Sequence, residues 1–348
     1  MNKSQLNYRD GKAEVELIPK KGEAMGRCAT FNRKYICCSV QVLKSIHNCP
    51  FECSYCFLQN YLNDGITKIV DDNKGLTEEV REKTRGEPWK LFRIGTWELG
   101  DSLALEGERG QAARLIEGFA LLENAVLELK TKSASVDTLL SLYHNGNTVV
   151  SWSLNTEYII ETEEHGTSSL DERLQAMKKV VKAGYIIGLH FDPMILYPGW
   201  EEGYKKLVKQ VFNAVTPDRV AWISIGSLRF NHEMKKKIEN NYPENRLTCA
   251  EMVLGDDLKM RYVKPLRITM YKHLYSLLSE YVNADNLQYL CMERWDVWER
   301  VFGYCPDSVG HLDYLFARSL YERYGLGSEL PQRELYEKAD MKRMSDYE

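Results

Sequence analysis

The chain has 348 residues, 44% hydrophobic and 28% charged, with 46 Lys+Arg against 50 Asp+Glu and a formal net charge of −4. This length admits one large domain or two modest ones, and the composition excludes a disordered or collagen-like chain. The acidic balance argues against a protein that coats nucleic acid, so duplex DNA is not expected as a partner, although a local basic cleft stays open.

Residues 1–7 are polar and carry no apolar core, so no secretory signal is expected there. Nowhere do 18 apolar residues run together, so no membrane association is expected and the location is taken as cytoplasmic. Nine cysteines, three of them crowded into eight positions, read as metal ligation plus buried thiols in a reducing compartment.

Apolar, β-rich runs at 35–43, 90–95, 125–129, 148–154, 185–191 and 219–225 are candidate strands. Between and after them, residues 53–62, 109–123, 135–144, 170–183, 201–215 and 232–240 show helical periodicity. Ser169 followed by Glu172 reads as a capping box, and 144–147 as a turn. Alternation repeated about six times argues for parallel βαβ units, as an open partial barrel or a doubly wound sheet. Beyond Pro243 the pattern changes to a helix at 265–281, a short strand at 286–291, a helical stretch at 293–302 and a charged, helical or frayed end. The division expected is a barrel over 1–243 with a C-terminal α/β extension over 244–348, packed as one structural unit.

The chemistry concentrates in Cys49, Cys53 and Cys56, a C-x3-C-x2-C spacing. Zinc sites usually close with four ligands, and no fourth partner stands at a matching distance; His47 is better read as a loop histidine. Three thiolates on a [4Fe–4S] cluster leave one iron open to an outside ligand.

With an aromatic, Tyr55, before the third cysteine, this motif on the loop after a first strand resembles the radical SAM superfamily. The resemblance implies a partial (β/α)6 TIM-like barrel, a [4Fe–4S] cluster, S-adenosylmethionine (SAM) chelating the open iron, and an electron donor such as flavodoxin or ferredoxin. Ser151-Trp152-Ser153-Leu154-Asn155, Glu164-His165-Gly166-Thr167-Ser168-Ser169, Lys182-Ala183-Gly184-Tyr185, Gly199-Trp200-Glu201-Glu202-Gly203-Tyr204 and Leu129-Lys130-Thr131-Lys132 resemble the spore photoproduct lyase branch. On that resemblance Lys132 would hold the SAM carboxylate, Ser153 and Asn155 the ribose, Glu98 or Thr96 the amino group, and Tyr55 the adenine.

The candidate strands end in polar groups, where a parallel barrel gathers its reaction: Thr96, Trp97, Glu98 and Asp101, then Lys130 and Lys132, Ser153 and Asn155, His190 and Asp192, Ser227 and Arg229. Helix capping would supply some of them. The branch carries a hydrogen-donating cysteine after the second strand, where this chain has Thr96, and a hydroxyl O–H bond is too strong for that role. Cys291 and Cys305 read as buried, inert thiols. With the acidic balance, the missing donor points to a small nucleotide substrate and to queuine lyase, which belongs to the same branch and releases queuine from a queuosine nucleotide. Asp192 or Asp101 would then meet the substrate's amine, Arg229, Arg261 or Arg267 its phosphate, and Trp97, Tyr197 or Phe57 its base. The alternatives are repair of a thymine photoproduct in DNA, and a non-catalytic zinc-binding interaction protein.

Overall fold

A computed structural model describes residues 10–28, 34–62 and 64–339. The polar stretch 1–7 and the charged end from 340 onward lie outside the described residues. Eight strands form the main sheet: β1 (Met25–Arg27), β2 (Gln41–Leu43), β3 (Phe92–Gly95), β4 (Ala125–Thr131), β5 (Thr148–Ser153), β6 (Ile186–Met194), β7 (Val220–Ser227) and β8 (Leu287–Leu290). Their spatial order follows their chain order. Strands β2 to β8 run parallel and β1 pairs antiparallel with β2. Sequential parallel pairing with crossovers curls the twisted sheet into a partial barrel, which decides between the two architectures left open by periodicity.

All six expected strands lie in this sheet, but the first is shorter than expected. Residues 41–43 pair as a strand, whereas Ile36 makes an isolated bridge to Glu293. The segment expected in the C-terminal extension, β8, pairs in parallel with β7 as a seventh barrel strand. Helix α5 (Lys264–Leu278) supplies the crossover between them.

The other main helices are α1 (Asn73–Arg85), α2 (Gln111–Phe119), α3 (Leu170–Lys182), α4 (Trp200–Ala214) and α6 (Val309–Tyr324). Helix α3 starts at the capping box read from sequence: the Glu172 amide donates to Ser169 Oγ at 3.3 Å and the Ser169 amide to Glu172 Oε2 at 2.7 Å. The helix expected at 135–144 is only a short 3-10 turn, Asp137–Leu139. Ser133 Oγ accepts the Ser135 amide, and such local side-chain bonds compete with helix formation. Helix α1 escaped the sequence reading because its buried face carries only two apolar residues, Leu76 and Val80, beside Thr77, Glu79 and Thr84.

Strands β5 and β7 are buried along their whole length, which explains their Val, Ile and Trp content. Beyond β7 the chain turns into a three-stranded antiparallel sheet, Arg229–Asn231 against Lys259–Tyr262 against Met252–Leu254. That sheet brings Arg229 and Lys259 to the same end as the strand termini, where a cavity opens.

Candidate active site

The cavity encloses about 250 Å³ at the carboxyl ends of the barrel strands. Cys49, Cys53 and Cys56 line it, together with Tyr55, Phe57, Trp97, Glu98, Asp101, Lys130, Lys132, Ser153, His190, Asp192, Arg229, Lys259 and Cys291. The three cysteines are free thiols. Their loop is fastened by Lys12, whose ammonium donates to the Cys49 carbonyl at 2.7 Å and the Phe51 carbonyl at 2.8 Å. Burial pushes the Cys49 thiol up and the Cys53 thiol up to about 12, so ligation must displace their protons.

Among the described residues, only Asp307, His311 and Glu337 bring three potential ligand atoms within 4.8 Å of one another. At least one sulfur–sulfur separation in the cysteine triad therefore exceeds 4.8 Å, more than the roughly 4 Å that Zn–S bonds of about 2.3 Å impose on a tetrahedral ion. A wider triad suits the corners of a [4Fe–4S] cluster, and the missing fourth thiolate leaves one iron for another ligand.

Two buried networks hold the walls. In the first, Arg173 on α3 is fully buried; it donates to Glu164 Oε2 at 2.7 Å, Thr167 Oγ1 at 2.7 Å, the Ser153 carbonyl at 2.9 Å and the Ser168 carbonyl at 2.9 Å. Glu164 also accepts the Tyr55 hydroxyl, which couples the cysteine loop to β5. Burial would raise the Glu164 carboxyl, but Arg173 and Lys132 outweigh it and hold it below the ordinary range. Burial likewise works to discharge Lys132, and Cys53 in its thiolate form, Glu164 and Asp101 reverse that, leaving a firmly protonated ammonium.

The second network centres on Glu128, a carboxylate in the middle of apolar β4. It accepts from Trp97 Nε1 at 2.9 Å and Ser151 Oγ at 2.9 Å, and His190 Nε2 lies 2.8 Å away. Glycine at 95 lets the Trp97 indole fold back over β3, since a Cβ there would run into the ring. Lys130 Nζ sits 3.5 Å from the centre of the Trp97 ring, a cation–π contact. Burial pushes the Lys130 ammonium below its ordinary value, against the pull of Asp192 and Glu128.

Several sequence expectations need correction. Asp101 lines the cavity, but its oxygens accept Thr131 Oγ1 at 2.6 Å, the Leu103 amide at 3.0 Å and the Lys132 amide at 2.7 Å. It positions the Lys132 turn rather than meeting a substrate amine. Asp192 is clamped by Arg229 at 3.0 and 3.2 Å; burial opposes its ionisation, and the guanidinium still holds it at about 2.

Thr96, Asn155, Tyr197, Ser227, Arg261 and Arg267 do not line the cavity. Thr96 bonds Ser102 at 2.7 Å, and Asn155 bonds the Pro193 carbonyl and Tyr204. Tyr197 stacks on Tyr158 at 4.7 Å, and Ser227 accepts from Tyr271. Arg261 pairs with Asp257, and Arg267 with Glu293 at 2.7 Å. Buried guanidiniums satisfied by carboxylates are not available to a phosphate. Glu128, Glu164 and Arg173 were missed. Only Glu128 had a local signal, a lone charge inside an apolar strand run.

The family model described as spore photoproduct lyase matches residues 43–290. The chain belongs to the spore photoproduct lyase family. It is 32% identical over 251 residues to the spore photoproduct lyase of Bacillus subtilis (strain 168), covering 69% of each chain. It is 30% identical over 209 residues to that of Geobacillus sp. (strain Y412MC61), covering 58% of this chain and 60% of the relative. A solved spore photoproduct lyase variant with bound AdoMet and dinucleoside spore photoproduct superposes with a TM-score of 0.71 at 22% identity, covering 81% of this chain and 83% of that one. Spore photoproduct lyase complexed with dinucleoside spore photoproduct gives the same TM-score, identity and coverage.

Members of this family are radical SAM lyases, and the cofactors are a [4Fe–4S] cluster and SAM. Three free thiols on one cavity wall fit that cluster by their donor chemistry. The expectation that duplex DNA is no partner is overturned, because the relatives are spore photoproduct lyases and a solved one holds dinucleoside spore photoproduct. Net charge misled because it averages the whole surface and does not report which charges line the cavity, where Lys130, Lys132, Arg229 and Lys259 stand beside Glu98, Asp101 and Asp192. No helix among the described residues is long and apolar enough to cross a membrane.

Proposed function

We propose that this protein is a radical lyase that restores thymines from a thymine photoproduct in DNA. The observation that carries the reading is one cavity holding the open-cornered cysteine triad, Lys132, the Trp97–Lys130 pair and Cys291. When bound, the cluster and SAM would supply radical chemistry for hydrogen-atom abstraction from the substrate. Cys49, Cys53 and Cys56 hold the cluster. Lys132 holds the SAM carboxylate by a charge-assisted bond in a poorly solvated site, and Ser153 and Tyr55 flank it. Asp101 and Arg173 keep those groups in place. Trp97 and Phe57 offer faces to a base, and Lys130 and Lys259 offer cations to a phosphodiester link, Arg229 being held by Asp192.

The relatives' named activity supports repair over release of queuine from queuosine 5′-phosphate. The argument for that smaller substrate rested on the acidic balance and a missing thiol, and a thiol does line the cavity, at position 291. Anaerobically reconstituted enzyme with SAM and a low-potential reductant should be offered photoproduct-bearing duplex DNA and, separately, queuosine 5′-phosphate. Thymine restored in the first arm supports the reading. Free queuine in the second, with the DNA unchanged, refutes it.

A further inference from the structure

A reaction that begins by removing a hydrogen atom from a substrate and then breaks a carbon–carbon link leaves a carbon radical on the product side. That radical needs a hydrogen atom from a neighbour whose X–H bond is weaker than the C–H bond formed. Hydroxyl and amide groups fail this condition, and a thiol meets it. Thr96 supplies only a hydroxyl, already bonded to Ser102.

Besides the cluster ligands, four thiols line the cavity: Cys28, Cys37, Cys38 and Cys291. They are not equivalent. Cys37 and Cys38 are almost completely buried, and Cys28 bonds Glu98 at 3.0 Å. Cys38 is pulled down by its hydrogen bond with Cys37 and, beyond that, by Arg93, against burial, so it holds its proton less firmly than Cys291.

Cys291 is placed differently. It follows β8 at the open end of the barrel, where its amide is pinned to the Ile225 carbonyl at 2.8 Å, and it is only partly buried. Arg229 Nη2 donates to its Sγ at 3.2 Å while the same guanidinium clamps Asp192, so the sulfur is held in one orientation. Burial, then the Asp192 carboxylate, push the thiol well above its ordinary value, so the hydrogen stays on sulfur.

We propose that Cys291 is the hydrogen-atom donor that quenches the product radical in this enzyme. The assignment rests on the repair reading above. In the step, the Cys291 S–H bond breaks homolytically and a product C–H bond forms, leaving a thiyl radical on Cys291. One electron from a flavodoxin- or ferredoxin-class donor, with one proton from solvent, restores the thiol. Arg229 and Asp192 act as positioning residues.

Because a thiol exchanges with solvent and a carbon-bound hydrogen does not, isotope labelling reads the donor directly. In D2O the holoenzyme should restore thymine carrying one solvent deuterium. Cys291→Ser keeps the volume and a group for Arg229 to bond; deuterated product per 5′-deoxyadenosine formed should fall at least tenfold. A second measurement needs no turnover. In oxidised holoenzyme with SAM and no reductant, dinucleoside spore photoproduct should protect Cys291 from alkylation, read by peptide mass spectrometry. Product free of deuterium, an unchanged deuterated yield in Cys291→Ser, or no protection would each overturn the assignment while leaving the repair reading standing. DNA photoproduct left intact by the unmodified holoenzyme would instead overturn the repair reading, and this inference with it.

Discussion

Replacing Arg173 by Met should destabilise the protein severely, and for an electrostatic reason. The ion pair with Glu164 has side chains 0% and 1% exposed, so solvent screens neither charge. Met fills much of the same volume but leaves the Glu164 carboxylate without its guanidinium. Breaking one side of a buried pair costs about 3–5 kcal/mol, up to roughly a thousandfold in the folding equilibrium for the middle of that range. Glu164→Gln alone should also destabilise, because it strands the guanidinium. The double variant removes both charges and should cost at least about 2 kcal/mol less than the sum of the two singles.

The effect should depend on pH with a definite sign. In the unmodified protein the folded Glu164 value is depressed, so its contribution is full above the unfolded value of about 4.3 and fades as pH falls through the folded value. Without Arg173, burial dominates and raises that value, so the carboxyl takes up a proton on acidification and the penalty shrinks. Urea titrations at pH 7 and pH 5 should therefore give the larger deficit at pH 7. Additive single effects, or a deficit that grows on acidification, would refute the electrostatic account.

Each of Cys49→Ala, Cys53→Ala and Cys56→Ala should abolish the brown absorbance of the reconstituted protein, with bound iron and sulfide falling in parallel. Lys132→Met should retain the cluster yet weaken SAM binding by about 10–100-fold in equilibrium dialysis, the worth of a charge-assisted bond. Glu128→Gln should lower stability by about 1–3 kcal/mol in denaturant titration and release the Trp97 indole, read as a shift in its fluorescence. Arg261→Met, away from the cavity, should lower stability by about 3–5 kcal/mol while leaving the Km for photoproduct DNA unchanged; a raised Km would return Arg261 to the substrate.

The cysteine triad was legible because ligand spacing is a property of a few consecutive residues. The six strands were legible for the same reason, since period and β-branching are local. Helix α6 was equally readable, with Val309, Leu312, Phe316, Ala317 and Leu320 on one stripe, and was passed over beside the more charged end. The start of the first strand was not, because Tyr35 to Val40 is apolar enough for a strand, yet Ile36 bonds Glu293 and the two lie 257 positions apart in sequence.

What the sequence by itself determined is the chemistry class: three thiols at fixed intervals on a loop, set into alternating strands and helices. Which charges face the cavity was decided by tertiary structure alone. Arg261 and Arg267 look as free as Arg229 in sequence; all three pair with a carboxylate, but only the Arg229–Asp192 pair lines the cavity. Cys291 reads as an inert thiol until β8 joins the barrel and carries it to the cavity. The physical reason is the same throughout: a side chain's periodicity is set by its neighbours in the chain, whereas its availability is set by the burial and charge of groups that only folding brings near.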